Sequence, residues 1–304
     1  MGRSIMTAPG RNGSAQASPG TGDAEHDVRV MAPDGCPITD VTGTSTPYID
    51  YQSIDVLLSL QRPRSDTPAE LTFYVIGQVK ELLFKLIHEE LERTRALIDG
   101  DSVAEAAANL RRVRRVVELL NETWNVLSTL TPNEFNGFRD VLGKASGLQS
   151  YMYRMVEYAL GNKVAALAQP HRQVPHVHAQ VQRALREPSV YDAALRLLAR
   201  RGAALPESVL DRDFSRPYEQ NSAVERAWAD VYRGNAATDP LPQLAEALMD
   251  VAEGFSRWRS LHLLTVERVI GFKPGTGGTE GAGWLRRVAE HRFFPELWTC
   301  RGLL

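Results

Sequence analysis

His262 sits where a histidine can either fill a core or bind a metal. The residues Leu244, Leu248, Val251, Phe255, Trp258, His262, Val266 and Val269 follow one another in steps of three or four, so they share one helix face. A histidine on such a face is by default a core residue. As a ligand it would suit some metals better than others. A carboxylate-bridged di-iron site in a helical bundle needs a Glu-x-x-His pair on each of two helices. None of the seven histidines has a Glu three residues before it. Zinc needs several clustered ligands. His171, His176 and His178 do cluster, but around Pro170 and Pro175 with no matching Cys or carboxylate, and they read as surface loop residues. A single axial histidine in an apolar helical pocket is sufficient for haem.

Two glycine features add to this. The loop after the helix, GFKPGTGGTEG over 271–281, can expose backbone N–H groups to an anion. It lacks the strand and the Lys-Ser/Thr of a phosphate-binding loop, and by itself reads as a flexible connector. Gly77 lies inside a long helical pattern, where glycine costs roughly 1 kcal/mol relative to alanine. Its usual rationale is the close approach of something that a side chain would block.

The elements that must position these residues are helical. Of 304 residues, 43% are hydrophobic, enough for a real core. Lys plus Arg number 35 and Asp plus Glu 37, so the net charge of −2 gives no reason to expect nucleic acid. No stretch has the length and apolarity of a membrane span, and no apolar segment follows the N-terminus. Two cysteines, Cys36 and Cys300, make neither a disulfide framework nor a thiolate site, and a reducing cytoplasm is expected. Residues 1–46, rich in Gly, Ser, Pro, Thr and Asp, read as a disordered tail, with 47–304 as one helical domain. Helices are expected from Pro68 to about Ile98, with an apolar series Leu71, Val75, Val79, Leu82, Leu86, and from Ser102 to Leu130. Thr131, Pro132 and Glu134 open a third with an N-cap, a first-turn proline and a capping-box acid. Others fall over 176–186, 189–201, 221–233 and 242–270. The run Arg111, Arg112, Arg114, Arg115 reads as a solvated face with partners one turn away. No alternating strand pattern with hairpin signals appears, so the class is all-α, a bundle of long packed helices.

Three blocks resemble the tryptophan 2,3-dioxygenase family. The first is WRSLHLLTVERVIGFKPGTGGTEGAGWLRRVAEHRFFPELW, residues 258–298, against the pattern W-R-x-x-H-x-x-x-V-x-R-x-I-G…G-T-G-G…F-F-P-E-L-W. The second is TPNEFNGFRDVLGKASGLQSYMYRMVEYALGNK, residues 131–163, which is similar to the substrate-binding segment. The third, 48–91, resembles the N-terminal Tyr-containing segment and the E-L-W-x-K helix. Together they cover about 250 residues in order.

The resemblance implies haem b as cofactor, held by His262 as proximal ligand, with Trp258 one turn away on the same helix. It implies that Arg139 pairs with the amino acid's carboxylate, for which a bidentate guanidinium is suited. Thr276 would contact the substrate's ammonium and carboxylate, Phe73 would pack on the indole, and Ser146 would line the haem pocket. Tyr48 and Tyr51 match a pair that reaches into a neighbouring subunit, which implies a homotetramer. Without the resemblance, Arg139 reads as a surface salt-bridge residue and Phe73 as core packing.

The sequence departs from the family at the distal helix. FYVIGQVKELLFK puts Gly77 where the family carries the histidine that partners the indole N–H. Leu83 replaces the Trp of E-L-W, the usual H-D-E before the helix becomes Pro68, Ala69, Glu70, and Phe135 stands in place of a Tyr near the substrate. These changes point to a specialised branch that inserts one oxygen atom from O2 into the indole of L-tryptophan or a methyl-tryptophan. The product would be an oxindole in natural-product biosynthesis, and an external reductant such as ascorbate, or peroxide, would be needed. The alternative is ring cleavage to N-formylkynurenine, and a third reading is a non-catalytic haem sensor.

Overall fold

The computed structural model describes residues 30–31, 37–38, 45–234, 239–276, 278 and 280–304. The chain divides by its internal contacts into residues 1–60 and 61–304. In the first, β1 (Val30–Met31) pairs antiparallel with β2 (Pro37–Ile38). This pair, two residues on each side, leaves the expected all-α class intact. Of the expected disordered tail, 1–29, 32–36 and 39–44 lie outside the described residues, while Ser45 and Thr46 are described. Helix α1 (Pro47–Gln52) follows, its first turn capped by Thr46, whose hydroxyl accepts from the Ile49 N–H at 3.2 Å. Then comes α2 (Ile54–Leu58).

Residues 61–304 are built on three long helices, α3 (Ala69–Asp99), α4 (Val103–Leu127) and α11 (Leu241–Val269). Helix α4 lies between the other two, packing along α3 on one side and α11 on the other. Between α4 and α11 the chain forms α5 (Pro132–Arg139), α6 (Tyr151–Ala159), α7 (Pro175–Arg186), α8 (Val190–Arg200), α9 (Glu207–Leu210) and α10 (Ser222–Arg233). It closes with α12 (Ala282–Glu290) and α13 (Pro295–Thr299). The capping box expected at α5 is present. The Glu134 N–H donates to Thr131 Oγ1 at 3.3 Å, and the Glu134 carboxylate accepts from the Thr131 N–H at 2.8 Å.

The core is where the periodic stripes meet. Leu110, Val113, Val117 and Leu120 of α4 face Leu244, Leu248, Val251 and Phe255 of α11, all fully buried. Burying such side chains is worth about 1.5–3 kcal/mol each. Gly254 sets the spacing of the pair. A Cβ added there would stand 2.8 Å from Val117 Cγ1, and the Asn121 amide donates to the Gly254 carbonyl at 3.3 Å. Where the sequence misleads is α3. Its inward face is Lys80, Phe84, Ile87, Leu91, Thr94 and Ile98, whereas Leu71, Leu82 and Leu86 of the expected stripe are exposed. Helix α3 is apolar on two faces, and periodicity cannot tell which one this chain covers.

The arginine run on α4 is solvated and paired as expected: Arg114 and Arg115 both reach Glu118, and Arg114 also reaches Asp250 at 2.8 Å. His171 is a correction. It is buried, at the end of a short 3-10 helix over Ala165–His171, while His176 and His178 lie in the first turn of α7 rather than in a loop. Among the described residues no helix is long and apolar enough to cross a membrane. Cys300 is a free, buried thiol, and Cys36 lies outside the described residues.

Candidate functional site

Trp124 of α4 is the centre of the site. On the α11 side the His262 ring stacks against it, centroids 4.4 Å apart and planes 13° from parallel. Trp258, one turn before His262, lies 5.6 Å from Trp124 and 5.7 Å from His262. On the α3 side the Lys80 ammonium stands 3.0 Å above the Trp124 ring centroid, a cation–π contact. Phe84 and Tyr153 complete the aromatic wall around Trp258 at 5.8 and 4.9 Å.

The electrostatics of this pocket favour neutral groups. Burial, and then the charge of Lys80, push the His262 pKa down to about 3, so its imidazole is neutral at pH 7 with one nitrogen free to accept or ligate. Burial alone pushes Lys80 down to about 6. His262 is buried over most of its surface and keeps a minor part exposed. The indole N–H groups of Trp124 and Trp258 are buried without an acceptor among the described residues. A partnerless buried donor costs about 1–3 kcal/mol, so two of them beside a neutral imidazole mark a place that a ligand with acceptors would complete. These residues fit a flat, carboxylate-bearing macrocycle whose metal takes one imidazole. Among the described residues no three His, Cys, Asp or Glu side chains are placed to share a metal ion.

The frame behind the site is a buried ion network centred on Glu157 of α6. Its carboxylate accepts from Arg259 Nη2 at 2.7 Å, from the Tyr153 hydroxyl at 3.0 Å, from Asn162 at 3.2 Å and from Arg154. Burial alone would raise the Glu157 pKa, but Arg154 and Arg259 outweigh it and hold the carboxyl below its usual range. Arg259 also donates to His291 Nδ1 at 3.1 Å and to the His291 carbonyl at 3.0 Å, with its guanidinium over Phe293. The residue next to Trp258 is therefore clamped on both sides, which fixes the rotation of α11 and the direction of His262. Tyr153, Arg154, Glu157, Arg259 and His291, like Trp124 and Lys80, were not singled out from sequence. Trp124 had a signal, because it continues the α4 series Leu110, Val113, Val117, Leu120 by one further step of four.

A second group forms where α5 meets the glycine-rich loop. Arg139 Nη2 donates to the Pro274 carbonyl at 2.7 Å, the Thr276 hydroxyl donates to the Ala145 carbonyl at 2.6 Å, and Lys273 reaches Asn136 at 3.4 Å. The loop expected to be a flexible connector is thus tied to α5 and the turn after it. It also closes on itself. Gly281, at φ +66°, lies so near the Lys273 carbonyl that an added Cβ would stand 2.5 Å from its oxygen. Phe73 packs against Phe135 and Phe138 at 6.0 and 5.4 Å, so the two aromatic residues expected around an indole do meet.

Other expected residues have different positions. The Ser146 hydroxyl caps the 3-10 turn over Gly147–Gln149, accepting from the Leu148 N–H at 3.4 Å. Gly77 is exposed, and a Cβ there would meet nothing within 4 Å. That corrects the expectation of a close approach at Gly77: nothing described packs against it, and the position is open. Tyr48 and Tyr51, in the 1–60 segment, are 67% and 86% exposed.

Comparison with known proteins agrees with the blocks that carry the resemblance. The profile of the family described as "Tryptophan 2,3-dioxygenase" matches residues 35–304. A protein of Polaromonas sp. named "Tryptophan 2,3-dioxygenase" is 47% identical over 254 residues, covering 84% of this chain and 86% of its own. "Tryptophan 2,3-dioxygenase 1" of Ralstonia nicotianae is 46% identical over 257 residues, covering 84% and 87%. A protein of Cupriavidus necator named "Tryptophan 2,3-dioxygenase" is 45% identical over 254 residues, covering 84% and 86%.

Proposed function

The chain belongs to the tryptophan 2,3-dioxygenase family of haem-dependent oxidoreductases, and from that premise we propose that it opens the indole ring of L-tryptophan with dioxygen to give N-formylkynurenine. Both atoms of O2 enter the cleaved C2–C3 bond, so no external electrons are required. The observation that carries this reading is the neutral, mostly buried His262 stacked on Trp124 beside two partnerless indole N–H groups. His262 is the residue to hold the iron of haem b, with Trp258 and Trp124 walling the cofactor. Haem, when bound, supplies the site at which dioxygen is activated. The chain supplies the rest. Arg139 pairs with the substrate carboxylate, Thr276 meets the ammonium and carboxylate from the loop, and Phe73 and Phe135 pack on the indole. Turnover with isotopically labelled dioxygen tests it. A ring-cleaved product carrying both labelled atoms is expected, and a product with one would overturn it.

That replaces the expectation of an oxindole-forming enzyme in natural-product biosynthesis as the leading reading, because relatives at 45–47% identity carry the dioxygenase name. One observation keeps single-oxygen insertion as a second reading. Gly77 leaves open space where the family places a histidine. In that reaction one atom enters the indole and the other leaves as water, taking two electrons and two protons from a reductant such as ascorbate. Peroxide could instead deliver the single atom. An open pocket would also admit a methyl-tryptophan. The labelling experiment separates the two.

A homotetramer is the assembly this reading favours. Leu71, Leu82 and Leu86 form an exposed apolar face on α3, and Leu119 and Val126 another on α4. Surfaces of this kind mark protein contacts. Tyr48 and Tyr51 are free to serve a neighbour's site. Light scattering at micromolar concentration should give four chains per particle, and a fully active monomer would rule the arrangement out. A reducing cytoplasm suits the free thiol of Cys300.

A further inference from the structure

We propose that Lys80 is a cofactor anchor, its ammonium pairing with a propionate carboxylate of the haem held by His262. The inference rests on the haem reading above and concerns a residue to which neither the sequence blocks nor the relatives' names give a role. Lys80 belongs to the buried stripe of α3, in register with Phe84, Ile87 and Leu91, and only 8% of it is exposed. Among the described residues it has no carboxylate partner and no hydrogen-bond acceptor, only the face of Trp124 at 3.0 Å. Without a counter-charge a buried ammonium is costly and tends to give up its proton, and a π-face offsets only a small part of that cost; a carboxylate beside it would hold the proton in place. Glu81, next in sequence, is not paired with it, and the other carboxylate of this region, Glu157, is already shared by two arginines.

The position of Lys80 says what the missing partner is. His262 and Lys80 each lie against the indole of Trp124, so the carboxylate arms of a group as wide as haem, bound by His262, have only to pass that ring to meet the ammonium. Haem carries two carboxylates on flexible arms, and one charge-assisted hydrogen bond would satisfy Lys80. The other carboxylate available to this site, that of the amino acid, has Arg139 and Thr276 on the loop between α11 and α12. Gly77, one turn before Lys80 on α3, leaves room for the long side chain to change its course.

The test titrates the haem-free full-length protein with haemin and with haemin dimethyl ester, followed by the Soret band. Wild type is expected to bind haemin about tenfold more tightly than the ester, the value of one charged hydrogen bond. Lys80→Met is expected to lose that preference, and Lys80→Arg to keep it. Equal affinity of wild type for haemin and its ester would overturn the proposal without any variant. So would a Lys80→Met protein that keeps the preference, or one that keeps haemin affinity but loses affinity for tryptophan. A low-spin ferric spectrum in wild type that turns high-spin in Lys80→Met would show the amine on the iron, and overturn it too. The haem reading fails separately. If wild type binds no haemin, both fall, whereas normal binding that is lost in His262→Ala leaves the reading intact whatever Lys80 does.

Discussion

The imidazole of His262 and the indole of Trp124 stack at 4.4 Å, within 13° of parallel, although they come from different helices. Replacing His262 by Ala should remove the proposed haem ligand without unfolding α11, whose register is held by Arg259. The expected outcome is loss of the Soret band with unchanged far-ultraviolet circular dichroism. A normal haem spectrum would reject the assignment.

Arg139 has two consequences to separate. It pairs with Pro274 in the loop and is proposed to hold the substrate carboxylate. Arg139→Leu should raise KM for tryptophan by roughly tenfold to a hundredfold, as loss of a charged hydrogen bond of about 1.5–3 kcal/mol implies. Tryptamine and indole, without a carboxylate, should bind wild type poorly. If they bind as tightly as tryptophan, the clamp is elsewhere.

Glu157 should be the most sensitive position behind the site. Glu157→Ala leaves Arg154 and Arg259 buried without their shared partner, a loss of about 3–5 kcal/mol. The urea midpoint should fall accordingly. A shift under 1 kcal/mol would mean that water reaches the arginines.

His291 predicts an acid limb. Burial, and then the charge of Arg259, push its pKa from 6.5 down to about 4. Arg259 can only donate, so Nδ1 must be unprotonated for their 3.1 Å contact. Between pH 6.5 and 4 the unfolded chain binds a proton that the folded chain does not. Stability then falls with falling pH, by up to ~1.4 kcal/mol per pH unit. His291→Gln should flatten that part of the stability curve. An unchanged slope would assign the acid limb to other groups.

The sequence made some of these features legible and hid others. Helix α11 could be read nearly to its ends because one face alone is apolar, and Thr131-Pro132-Glu134 announced α5 through local chemistry. Helix α3 misled because Leu71, Leu82 and Leu86 obey the same period as Ile87 and Leu91, and only tertiary packing decides between two apolar faces. Lys80 stayed hidden because a lysine inside a stripe reads as solvent-facing. Glu157 and Arg259 stayed hidden because charges far apart in sequence give no sign that they will be buried together. Arg139 and Thr276 were found through a family resemblance, and nothing local foretold that Pro274 and Ala145 would tie them into one loop.

Gly254 gives the pocket a mechanical aspect. With Val117 Cγ1 only 2.8 Å from where its Cβ would be, alanine at this position would act as a wedge between α4 and α11. Two turns farther along the same rod stands His262, and across the gap on α4 stands Trp124. A single methyl group driven in at Gly254 would pry the ring stack open at a distance, like a shim under one end of a hinge. Its signature would be a changed iron spectrum in a protein whose pocket residues were all untouched.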